Sequence, residues 1–133
     1  MRVMTKIERF EDIEAWQKAR KLASSVYAVS NHGPFSRDFG LRDQIRRAAV
    51  SIMSNVAEGF ERGGSVEFRR FLSIAKGSAG EVNAQLYVAF DAELIDKARF
   101  DSLYRMATET GSLIGGFMRY LTNHLRNRTT RNP

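Results

Sequence analysis

The sequence has no cysteine, two prolines and two histidines, and each scarcity removes a possibility. Without cysteine there is no disulfide, no thiolate metal site and no thiol nucleophile. Pro34 and Pro133 are the only prolines, so nothing from Phe35 to Asn132 carries a proline break and long helices are permitted. His32 and His124 stand far apart, and neither belongs to an HExxH or ExxH arrangement, which speaks against a zinc or di-iron bundle. No apolar run approaches the roughly 20 residues that a membrane-spanning helix needs. The opening MRVMTKIERFED lacks the apolar stretch of a secretory signal. The expectation is a cytoplasmic protein with no membrane attachment, no metal and no cofactor.

What is present suits one core. A chain of 133 residues, 43% hydrophobic and 27% charged, fits a single domain over 1–133 with short basic ends. The formal charge of +6 is not spread evenly. Residues 1–9 carry Arg2, Lys6 and Arg9 against Glu8, and residues 126–133 carry Arg126, Arg128 and Arg131 with no acid. The stretch between them nets only +1. Basic ends on a neutral body suit either solubility or contact with phosphates.

Four long segments repeat apolar residues at helical spacing. The first runs from about Glu11 to Ser30 with Ile13, Trp16, Ala19, Ala23, Val26, Tyr27 and Ser30 on one stripe, and Asn31-His32-Gly33-Pro34 stops it. The second runs from the Asp38 region to Glu58 or Phe60, with Gly59 as a C-cap candidate. Gly63-Gly64-Ser65 is a turn. Ser65 and Glu67 open a third helix reaching about Glu93. Its Phe68, Leu72, Ala75, Ala79, Val82, Leu86 and Ala89 alternate by four and three, as in bundle seams. The fourth runs from about Ala98 to Leu125. No strand-like alternation competes. The expected fold is all-α, an antiparallel up-and-down four-helix bundle. Phe68, Phe71 and Phe90 are core candidates, and Trp16 is either core or rim.

The second helix is unusual twice over. Val50, Met53, Ala57 and Phe60 widen its apolar face beyond the stripe Leu41, Ile45, Ala48, Ala49, Ile52 and Val56, and the surplus suggests a second contact surface, most simply self-association. Its charges are also reversed, with Arg42, Arg46 and Arg47 near the N-terminus and Glu58 near the C-terminus, against the preference of the helix dipole. Such charges need partners outside their own helix.

Three constellations bear on chemistry. Arg47, Ser51, Ser54 and Glu58 form a polar stripe with Asn55 beside it, either a small groove for an anion or carboxylate or, by preference, a structural network in which Arg47 pairs with Glu58 of another turn or subunit or with Glu81. Arg47 and Glu58 lie eleven residues apart, about 16 Å of helical rise, too far for direct contact. Arg62, Arg69 and Arg70 are the densest basic cluster outside the ends, either a solvated face or a phosphate contact. Lys76-Gly77-Ser78-Ala79-Gly80 lacks Walker spacing and lies in a helical pattern. Its small residues, with Gly111, Gly115 and Gly116, suit close helix packing. No set of nucleophile, base and second acid is assembled, so no catalytic residue is assigned and the chain reads as a non-enzyme.

The block LRDQIRRAAVSIMSNVAEGFERG, followed by EFRRFLSIAKGSAGEV and preceded by FEDIEAWQKARKL, resembles the four-helix bundle proteins also called the 23S ribosomal RNA intervening-sequence protein family. Met53 stands where many members have proline or leucine, and GSAGEV departs from a commoner GS-leucine-x-E pattern. The resemblance implies a four-helix subunit assembling as a homopentamer. It also points to a basic relative that serves as accessory factor to the reverse transcriptase of diversity-generating retroelements. It carries over no catalytic residue. Two functional readings follow. One is an RNA- or DNA-associated oligomer working through Arg62, Arg69, Arg70, Arg126, Arg128 and Arg131, which the excess of arginine over lysine favours. The other is an adaptor for a protein partner such as a reverse transcriptase, which the neutral body favours.

Overall fold

Two helices begin in this chain where a side chain or a proline takes the place of a missing backbone partner, whereas those starting at Glu14 and Ser65 have no side-chain cap, so Ser65 opens its helix without capping it. The computed structural model describes the backbone of residues 6–131 and the side chains of residues 6–123. A 3-10 turn at Phe10–Asp12 leads into α1 (Glu14–Val29), α2 (Gly33–Arg37), α3 (Phe39–Glu61), α4 (Ser65–Asp91) and α5 (Lys97–Arg131), and there is no strand among the described residues. The second half of the stop at Asn31 to Pro34 is itself the start of the short α2, which the periodicity did not reveal. Pro34 lies in its first turn, where a missing N–H is harmless. The Asp38 Oδ1 accepts a hydrogen bond from the Leu41 amide at 3.1 Å and so caps α3.

Gly59 is not a cap. It lies inside α3, buried, and the helix runs on to Glu61. The chain reverses instead at Gly63, whose φ of +84° suits a residue without a Cβ.

α1 packs against α3 and α5, and α4 packs against the same two helices. Leu22, Ile45, Ile52, Leu72, Leu86 and Ile114 are fully buried between them. Every apolar stripe position expected on α3 and α4 is buried, as a period near 3.6 requires. Three expectations need correction. Phe90 and Tyr27 are partly exposed rather than core. Met53 and Phe60, half of the supposed surplus on α3, pack onto the chain's own core, leaving Val50 on the surface. Exposed apolar side chains gather instead on α4, at Val66, Ile74, Tyr87, Val88 and Phe90.

Candidate nucleic-acid interface

The α3–α4 turn and the start of α4 carry three of the arginines expected to contact phosphate, and two of them already have acidic partners. Arg62 reaches back one turn to Glu58 at 2.9 Å, and Arg70 pairs with Glu67 at 3.3 Å. Both guanidinium groups also lie 5.3 Å from the ring centre of Phe71. Arg69 alone makes no ion pair among the described residues. The turn is therefore close to self-neutralised. Arg126, Arg128 and Arg131 belong to α5 by backbone, so the expected tail is in part helix. Their side chains lie outside the described residues.

The polar stripe of α3 separates into two parts. Ser51 and Asn55 turn toward α4: the Ser51 and Ser78 hydroxyl oxygens lie 2.9 Å apart, and the Asn55 Nδ2 donates to Ser51 Oγ at 3.0 Å and to the Ser51 carbonyl at 2.8 Å. These groups satisfy one another in a helix seam. The charged members stay outside it. Arg47, Glu58 and Glu81 are exposed, Glu58 is held by Arg62, and no ion pair joins Arg47 to Glu58 or Glu81 among the described residues. A pairing of Arg47 within this subunit is therefore corrected. Serine and asparagine are short and reach across a seam, whereas the arginine extends into water.

The reversed charges of α3 have a different explanation, which sequence reasoning missed. The Arg46 Nε donates to Ser30 Oγ at 2.8 Å while its guanidinium lies 4.5 Å from the centre of the Tyr27 ring. Ser30 closes α1, and its hydroxyl donates to the Val26 carbonyl at 2.7 Å. The last turn of α1 has no basic residue of its own, so Arg46 supplies the cation that a helix C-terminus favours. Arg42 acts similarly at α2, donating to the Ser36 carbonyl at 3.0 Å. The start of α3 is basic because it sits beside the ends of two other helices.

A groove between α4 and α5 brings together residues that the sequence reading kept apart. Lys76, Asn83, Tyr104, Thr108, Ser112 and Arg119 stand around it, with Gly80, Gly111 and Gly115 at its base and no carboxylate among its lining. Gly111 faces Ala79, and a Cβ there would lie 3.7 Å from that of Ala79, an ordinary contact. Gly77 and Gly80 face open space, so only part of the expected small-residue contact forms. A second groove, at the end of α1, is lined by His32, Asp91, Glu93, Asp96 and Arg99. Among the described residues no group of three metal-ligating side chains comes together. No helix there is long and apolar enough to cross a membrane.

The family model of the 23S rRNA-intervening sequence proteins matches residues 11–116. The chain belongs to that family. A solved structure with the same fold is that of a protein of unknown function from the S23 ribosomal protein family of Bacteroides thetaiotaomicron. It is 23% identical, with a TM-score of 0.73 over 79% of this chain and 95% of the other. No curated protein matches. The match to the 23S rRNA-intervening sequence proteins spans the nearly neutral body. It stops before Arg119, Arg126, Arg128 and Arg131, so the basic end of this member lies beyond the matched segment.

Proposed function

We propose that this 23S rRNA-intervening sequence protein is a non-catalytic, cytoplasmic factor that associates with RNA or DNA. In this reading its four long helices run antiparallel, up and down, and five copies assemble around a common axis. The exposed Val66, Ile74 and Val88 of α4 supply apolar surface for such an assembly. The observation that carries nucleic-acid association is the placing of charge. The body is close to neutral, and the surplus sits at the chain ends and on unpaired side chains such as Arg69 and Arg119. Five copies of a weakly binding basic end on one particle raise the effective concentration, so that modest contacts act together.

The test is a gel shift with structured RNA at two salt concentrations. Affinity should fall steeply with salt, and deletion of residues 126–133 should flatten that dependence while leaving the helical content intact. Full-length protein that shows no salt-sensitive binding at low ionic strength favours the second reading, an adaptor for a protein partner such as a reverse transcriptase. The ion pairs already holding Arg62 and Arg70 are the observation on its side.

A further inference from the structure

The α4–α5 groove gathers cations without an acid in its lining. Lys18, Arg42, Arg62, Arg70, Lys97 and Arg99 each lie beside a carboxylate. Lys76 and Arg119, like Arg47 and Arg69, make no ion pair among the described residues, but Lys76 and Arg119 converge. The Arg119 guanidinium comes within 3.5 Å, and the Lys76 ammonium within 3.8 Å, of the point where a Cβ on Gly115 would stand. Two cations drawn to one place over a glycine, with no acid in the lining, leave a concentrated positive potential that the subunit itself does not answer.

At its other end the groove meets aromatic rings. Tyr104 lines it and stacks on Phe100, with centroids 5.4 Å apart and planes inclined by 28°. Tyr87 lies edge-on to both, at 5.6 and 5.0 Å, and is half exposed. Between the rings and the cations, Asn83 donates to Thr108 Oγ1 at 3.2 Å while its own Oδ1 is buried with no partner. From Lys76 to Tyr87 is eleven residues of helix, about 16 Å. The sequence of features along that length is cation, the polar pair Asn83 and Thr108, then aromatic platform.

We propose that the α4–α5 groove binds single-stranded nucleic acid, with phosphates at Lys76 and Arg119 and bases stacked on Tyr104 and Tyr87. This rests on the nucleic-acid reading above and assigns it a surface and a strand state. A duplex presents phosphates but keeps its base faces inside, whereas a single strand offers both to a basic groove edged with aromatics.

The experiment is fluorescence anisotropy with the full chain, using a labelled mixed-sequence RNA of roughly 15 nucleotides, alone and annealed to its complement, at low and moderate salt. The single strand should bind more tightly than the duplex. The double variant Lys76→Gln/Arg119→Gln should weaken single-strand binding about tenfold or more, and should reduce the slope of log affinity against log salt by roughly 1.4. Tyr104→Leu should weaken binding about fivefold to a hundredfold with the slope unchanged. Gly115→Asp sets a carboxylate between the two cations and should reproduce the double variant without loss of helix. Wild-type binding that none of these variants alters overturns the proposal and leaves nucleic-acid association standing elsewhere. Equal or tighter duplex binding overturns it too, as does a change of assembly mass in the double variant, which would place the cations between copies. If wild type binds no RNA, titration with inorganic pyrophosphate, followed through the amide resonances of Gly115 and Gly116, decides the phosphate site separately. Shifts that Gly115→Asp abolishes retain it, and an absence of shifts removes it.

Discussion

The Cβ of Phe71 stands 2.7 Å from the point where a side chain on Gly59 would begin, and Cδ1 of Phe68 stands 2.9 Å from it. α3 and α4 approach here as closely as backbone allows, so the glycine is fixed by space. In Gly59→Ala, better helix propensity, worth about 1 kcal/mol, opposes overpacking of about 1–3 kcal/mol. The nearest atom belongs to the start of a buried side chain and cannot swing away. Net destabilisation is expected in urea unfolding, and a gain in stability would mean that the two helices separate easily.

Arg46 and Arg47 are adjacent and should behave oppositely. Arg46→Met removes the bond to Ser30 and the cation at the end of α1, a loss of about 1–2 kcal/mol. Arg47 is exposed, so the roughly 3–5 kcal/mol that follows from breaking a buried pair does not apply within the subunit. Arg47→Met should stay within about 0.5 kcal/mol of wild type. Thermal melts of both variants below the assembly concentration separate the cases. A large effect of Arg47→Met confined to the assembled protein would place its partner on another copy.

Much of this was legible in the sequence. The stripes of α3 and α4 are correct position by position because burial follows helical period, and Asp38 announces its cap by residue type and place. Gly59 was misread because glycine after a helical run usually signals an end. Its place three residues after Val56 on the buried face was the better signal. The Arg46–Ser30 bond and the meeting of Lys76 with Arg119 join residues 16 and 43 positions apart. No local pattern encodes such pairs, since they depend on how helices are set against one another.

Removing one hydroxyl from the α3–α4 seam should be mildly destabilising. Ser78 is buried, and Ser78→Ala leaves Ser51 with Asn55 as its remaining partner, a loss of about 1 kcal/mol. Equilibrium unfolding should show this without any change in helical content, and an undiminished midpoint would mean that the hydroxyl pair contributes nothing.

Acid sensitivity is expected at the N-terminal turn. The Asp12 carboxyl is held below its ordinary value of 3.8, chiefly by the Glu8 amide, which donates to it at 3.0 Å, and then by the Arg9 amide at 3.2 Å. The charged form is the bonded one. Its contribution is complete above the unfolded pKa and is lost as pH falls through the lowered folded value. Asp12→Asn should therefore flatten the stability profile below about pH 4 and leave its shape unchanged above. A profile identical to wild type on the acid limb would remove Asp12 from the account.

The proposed assembly has a definite size. Five chains of 15.1 kDa amount to about 75 kDa. Sedimentation at micromolar concentration should find that mass. A monomer would contradict self-association altogether, whereas a dimer or tetramer would reject only the number five.

α1 packs on α5, so the first helix and the last are neighbours. This adjacency has a temporal consequence during synthesis. α3 and α4, linked by Arg62–Gly64, can pair as soon as both leave the ribosome, because contacts near in sequence form fast. The faces of α1 and α4 that meet α5 must wait for a helix translated after both. Until then the nascent chain is an open three-helix trough with its apolar lining in water, the kind of intermediate that chaperones recognise and that aggregates when translation stalls.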